Sequence, residues 1–305
     1  MKIIVNFFCL FSFSSVLGQK GDELLVYSMK GNVTVIENNI ESKVKIGKVL
    51  KPGSSIKTQP LAKLTMVCKE GKPISVTKEG TFPVVKWKDS CATGKNSVTS
   101  KYFQYIWDQL YVRSDDYKRN HPDDIGAVVR NDAPVRGEII MEIEFNEALD
   151  TINYASGRFP LSWTTNIDYA GKYHFMLVNA KGGKPLYKDS IAANTMPLDK
   201  LKKYMLPGHI YNWYVTTEKT GICHGGVIKC LPVNTIGREI IKFKKAIDVP
   251  EDLAAQYFRI AFLLENSHYF ADASLYYQKA AREIPSTQLY SEILTEFNRT
   301  YMISK

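Results

Sequence analysis

The chain has 305 residues, 45% of them hydrophobic, with a formal net charge of +9 and five cysteines. That length and apolar content suit two or three domains with real cores and exclude a disordered chain. The basic excess is spread out, densest at Lys200–Lys203 and Lys242–Lys245, and so lacks the one-sided clustering of a nucleic-acid binder.

The opening stretch, residues 1–18, reads MKIIVNFFCLFSFSSVLG: Lys2, then a mostly apolar run to Leu17, then small Val16 and Gly18 before Gln19. This is the pattern of a secretory signal peptide, too short to span a bilayer. Export implies an oxidising compartment for Cys68, Cys91, Cys223 and Cys230. Four cysteines allow three pairings, of which Cys68–Cys91 with Cys223–Cys230 is preferred because each pair sits inside one module. No Cys-x-x-Cys or His-x3-His spacing supports a metal site, and no cofactor motif occurs.

Residues 19–95 carry short β signals. Leu24-Leu25-Val26, Val33–Ile36, Val44/Ile46, Ile56–Thr58, Leu64–Val67 and Ile74–Thr77 are separated by Gly31-Asn32, Asn38-Asn39, Pro52-Gly53 and Gly71-Lys72-Pro73. Six or more strands in about sixty residues predict a small antiparallel sandwich or barrel.

The phrase Leu50-Lys51-Pro52-Gly53-Ser54-Ser55-Ile56-Lys57-Thr58, with Gly31-x-Val33 before it and Gly71 and Ile74–Val76 after it, resembles FecR-like domains over residues 25–82. The resemblance implies the fold and an extracytoplasmic setting, the periplasm or cell surface of a Gram-negative bacterium. Regulators of that family place a cytoplasmic segment and a membrane helix before this domain. Here it follows the leader directly, so sigma-factor regulation is not implied.

Residues 96–132 are expected to be a helix and a polar linker. Tyr102, Phe103, Ile106, Leu110 and Val112 recur at helical spacing, with Ser97 or Thr99 as N-caps. Tyr102 and Trp107 are candidate partner contacts, although packing against a neighbouring domain is the more ordinary reading of these aromatics. Asp115, Asp116, Asp123 and Asp124 lack the regular spacing of a calcium loop.

Residues 133–245 form a second β region. Leu161-x-Trp163, Tyr173-x-Phe175-x-Leu177 and Leu206-x-Gly208-x-x-Tyr211-x-Trp213-x-Val215 look like an immunoglobulin or fibronectin type III sandwich, with Trp163 between the sheets. Gly221–Pro232 would be a long hairpin tip, stapled by Cys223–Cys230. Glu138, Glu142, Glu144 and Glu147 are the only acidic cluster, with Glu138, Glu142 and Glu144 on one strand face.

Residues 246–305 are expected to be helical. Tyr257, Ile260, Ala261 and Leu264, then Ala273, Tyr277 and Ala280, give an antiparallel pair that Pro285 closes. In this register they look like one tetratricopeptide repeat, with Leu289, Ile293, Leu294 and Phe297 on a capping helix. Its groove makes Tyr257, Leu264, Tyr269 and Tyr276 candidate partner-binding residues.

The expected fold is thus mainly β with a C-terminal α-helical part: a small antiparallel β module, an immunoglobulin-like sandwich, and a helical hairpin plus cap. His121, His174, His209, His224 and His268 stand apart, and no G-x-S-x-G, phosphate loop or H-E-x-x-H occurs. The expected function is non-enzymatic binding or scaffolding in the bacterial envelope through an envelope protein. Glycan, lipopolysaccharide or peripheral membrane contact remain open, and nucleic acid is excluded. The alternatives are an envelope glycan hydrolase using paired carboxylates of the middle region, and an extracytoplasmic signal relay.

Overall fold

The computed structural model describes residues 23–91, 98–113, 141–245, 249–284 and 288–303. The stretches expected to be a leader and a linker, the expected N-cap Ser97, and Pro285 lie outside the described residues.

The first module holds eight strands. They are β1 (Leu24–Lys30), β2 (Val33–Glu37), β3 (Ile40–Lys43), β4 (Val49–Leu50), β5 (Ser55–Thr58), β6 (Lys63–Cys68), β7 (Pro73–Val76) and β8 (Gly80–Pro83). They form two four-stranded antiparallel sheets, ordered β4-β1-β6-β7 and β3-β2-β5-β8. The β2–β3 turn places Asn38 and Asn39 at φ +50° and +65°, the left-handed backbone that asparagine tolerates. The strand expected at Val44/Ile46 falls earlier, on Ile40–Lys43. Val44 is instead buried in the loop that follows.

Strand β1 explains its own sequence. Leu24 and Val26 point into the module core, while Leu25 and Tyr27 join a second, larger core. A strand covered on both faces reads as a continuous apolar run. What covers the second face is helix α1 (Val98–Arg113) and the C-terminal helices. Tyr27 meets Phe103 edge-on at 5.3 Å between ring centroids. Tyr102 and Trp107 are buried here.

The middle region has β9 (Ile143–Phe145), β10 (Thr151–Tyr154), β11 (Pro160–Thr165), β12 (Tyr173–Asn179), β13 (Tyr187–Ile191), β14 (Thr195–Pro197), a short α2 (Leu198–Leu201), β15 (Ile210–Thr216) and β16 (Cys223–Cys230). One sheet runs β14-β11-β9 and the other β10-β16-β15-β12-β13, with β10 parallel to β16. This is the two-sheet arrangement of an immunoglobulin-type sandwich. Trp163 and Trp213 meet between the sheets at 6.1 Å, and Phe145 lies edge-on to Trp213 at 5.3 Å. The Leu206 N–H donates to the Tyr211 hydroxyl at 2.7 Å, closing a tyrosine corner ahead of β15.

Two expectations fail here. Gly221–Pro232 is no hairpin tip, because β16 occupies Cys223–Cys230. Gly225 and Gly226 lie within this strand, and both serve close approach. A Cβ on Gly225 would strike the Trp213 ring, and one on Gly226 would meet the Leu149 carbonyl at 2.6 Å. The β region also ends earlier than residue 245, because Val233–Lys245 is helix α3. Its Ile236, Ile240 and Phe243 lean on the core at spacings of four and three.

Three helices complete the chain: α4 (Leu253–Asn266), α5 (Phe270–Glu283) and α6 (Gln288–Thr300). Asp252 caps α4 by accepting the Ala255 N–H at 2.7 Å, so the helix starts after Pro250 and Glu251 rather than at them. Ala261, Leu264, Ala273, Tyr277 and Ala280 are buried at the α4–α5 crossing, on the face that their spacing predicts. Leu289, Ile293 and Phe297 are the buried side of α6. Among the described residues, no helix is long and apolar enough to cross a membrane.

A candidate binding cleft

Helix α4 ends at Asn266, and the turn to α5 is held by the sandwich. Asn153 of β10 donates its backbone N–H to the His268 carbonyl at 2.9 Å, and its side-chain amide to the Ser267 carbonyl at 2.8 Å. His268 takes a left-handed backbone, φ +60°. The turn is therefore fixed against a strand more than a hundred positions earlier.

Beside it opens a cleft of about 360 Å³. It is lined by Tyr105 of α1, Ala148 before β10, Phe262, Glu265 and Asn266 of α4, and His268, Phe270 and Tyr301. Tyr105 and Phe262 pack at 4.7 Å between centroids, and Phe270 and Tyr301 at 5.0 Å.

Glu265 is the only acid among the described residues of the lining. One carboxylate oxygen accepts the Tyr277 hydroxyl at 2.7 Å and the other the Tyr301 hydroxyl at 2.9 Å. Burial pushes its carboxyl above the ordinary range, opposed by those two hydrogen bonds. Among the described residues it forms no ion pair. The Nδ1 atom of His268 is buried without a partner.

None of the six candidate partner residues lines this cleft. Tyr102, Trp107, Leu264 and Tyr269 are buried, so they pack instead of presenting a surface. Tyr257 and Tyr276 are half-buried outside the cleft, with the Lys279 ammonium 5.8 and 4.6 Å from their ring centroids. Residues that sequence reasoning passed over are Glu265, Phe262 and Tyr301. One signal was available: a glutamate in the last turn of an apolar helix opposes the helix dipole.

The cysteines divide. Cys68 and Cys91 form a disulfide with Cα atoms 5.7 Å apart, tying the end of β6 to the turn after β8. Cys223 and Cys230 are free. They sit at opposite ends of β16, roughly 23 Å apart at about 3.3 Å per residue, far beyond disulfide reach. They also cannot share a metal ion. Glu70 lies beside the Cys68–Cys91 sulfurs, but their mutual bond leaves no thiolate ligand there.

Glu144 of β9 and Glu142 just before it are both exposed, the solvent face that period two assigns them. Glu138 lies outside the described residues. No family model matches the chain, and no curated protein matches it.

Proposed function

We propose that this is an exported, non-enzymatic binding protein of the bacterial envelope. In this reading a FecR-like β module, an immunoglobulin-like sandwich and a tetratricopeptide-like helical pair form one body. Its ligand or protein partner enters the cleft at their junction. The observation that carries the reading is the single acid of that cleft. Glu265 already holds two tyrosine hydroxyls, and among the described residues no second carboxyl stands in the lining. Glycoside cleavage uses a pair of carboxyls across the scissile bond, so the site suits holding better than turnover. The Cys68–Cys91 bond is compatible with an oxidising compartment, in keeping with export.

The test is fractionation of a Gram-negative host that expresses the tagged chain. Recovery from the envelope with Gln19 as N-terminus, one stoichiometric partner lost on Glu265→Gln, and no glycan turnover supports the proposal. An unprocessed cytosolic chain, or release of sugars that Glu265→Gln abolishes, overturns it.

A further inference from the structure

The cleft presents acceptors of the kind that hold a cation. Glu265 is a largely buried acid whose two contacts are neutral hydroxyls. Each carboxylate oxygen keeps lone-pair capacity after accepting one hydrogen bond. Among the described residues no lysine or arginine lines the cleft to balance it, and a charge taken out of water needs a partner. His268 also lines the cleft; its buried Nδ1 has no partner, and with the ring proton on Nε2 it is an acceptor. Half-buried Tyr105 and Phe262 line the same cleft, and aromatic ring faces attract cations, while buried Phe270 and Tyr301 form its base. An anion would face Glu265 directly, and the Tyr301 hydroxyl that could serve an anion is committed to that carboxylate. A neutral sugar would leave the acid unbalanced.

Taking the cleft as the binding site proposed above, we propose that its ligand is an ammonium or guanidinium group carried on an apolar stem. Glu265 pairs with the charge, His268 Nδ1 accepts one of its N–H groups, and the aromatic walls hold the stem. The group belongs either to a small amine or to a lysine or arginine side chain of a partner polypeptide.

The test titrates the purified, disulfide-intact chain with n-butylguanidinium, n-butylammonium, n-butanol and a capped lysine-containing peptide, read by calorimetry and tyrosine fluorescence. The cations should bind at least about tenfold tighter than the alcohol, a gap of about 1.4 kcal/mol. Glu265→Gln, which keeps the size and hydrogen-bonding capacity of the side chain, should erase that gap. His268→Asn, which tolerates the left-handed backbone, should weaken the cations alone. Tighter binding of the peptide than of butylammonium assigns the group to a polypeptide, and equal binding assigns it to a free amine. Alcohol and cations binding alike overturns the cation while leaving the cleft standing. No probe binding at all overturns both. If Glu265→Gln does not fold, His268→Asn decides alone.

Discussion

The Tyr27 hydroxyl donates to the Glu251 carboxylate at 2.9 Å, joining the first strand to the loop before α4 across 224 positions. With that proton committed, the Tyr102 hydroxyl, 2.7 Å away, donates to Tyr27. Glu251 also takes both prongs of the Arg259 guanidinium, Nε at 2.9 Å and Nη2 at 2.8 Å, while Nη1 reaches the Phe243 carbonyl at 2.6 Å. One buried chain of hydrogen bonds thus links β1, α1, α3 and α4. Ser28 and Thr65 extend it, to Asp252 at 3.0 Å and to the Pro250 carbonyl at 2.6 Å. Burial holds the Tyr27 and Tyr102 hydroxyls well above their usual pKa, so both stay protonated donors.

Removing the hydroxyl of this link should loosen the junction without emptying it. Tyr27→Phe keeps the ring against Phe103 and strands the Tyr102 hydroxyl. The expected loss is about 1–3 kcal/mol, read as a lower urea midpoint with unchanged slope. No change would show that the link adds nothing to stability.

Arg259 and Glu251 are 1% and 4% exposed in their side chains. Breaking such a pair leaves one charge buried and alone. Arg259→Met or Glu251→Gln should each cost about 3–5 kcal/mol, and the double substitution should cost less than their sum. A double-mutant cycle in urea measures the coupling, and additivity would refute the pairing.

Asp272 stands in the first turn of α5 with Oδ2 buried and without a partner. Burial raises its carboxyl from 3.8 to about 6. The folded chain therefore binds this proton more tightly than the unfolded one. Its contribution is whole below pH 3.8 and lost as the pH climbs through about 6. Asp272→Asn should stabilise by about 1–3 kcal/mol at pH 7.5 relative to its effect at pH 4. Urea unfolding at the two pH values checks this, and an equal effect at both would count against it. Glu265 is shifted the same way by burial, so the unsubstituted chain should also lose stability as this second carboxyl ionises.

Thiol labelling should separate the four described cysteines. Unreduced and unfolded, the chain should label at Cys223 and Cys230 and not at Cys68 or Cys91. Folded, half-buried Cys223 should react first, because Cys230 is buried and burial raises its thiol pKa. Reducing Cys68–Cys91, whose partners are 23 positions apart, should cost about 3 kcal/mol. Peptide mass mapping that finds Cys223 joined to Cys230 would overturn the first expectation.

Gly226 has φ +150°, and a Cβ there would meet the Leu149 and Asp150 carbonyl oxygens at 2.6 and 2.8 Å. Gly226→Ala should cost roughly 2–5 kcal/mol by strain and crowding together. Gly182→Ala, at φ +90° with no atom within 4 Å of the added carbon, should cost only about 1 kcal/mol. Thermal melts of the two variants give the comparison; equal losses would show that crowding is not the cause.

The sequence by itself determined the local elements. Period two in Tyr211-Trp213-Val215 placed those side chains between sheets, and they are buried there. Spacings of three and four in Ala261, Leu264, Ala273 and Tyr277 set the helix crossing. Turn residues divided the first module into short strands. Periodicity reports which face is buried but not what buries it. Only the tertiary structure decided that Leu25 and Tyr27 look outward to α1 and α4, that the Gly225-Gly226 pair sits inside a strand, and that Cys223 and Cys230 lie at opposite ends of it. The cleft belongs to the same class. Tyr105, Ala148, Glu265 and Tyr301 come from separate elements, and their meeting depends on how those elements pack, which no local pattern records.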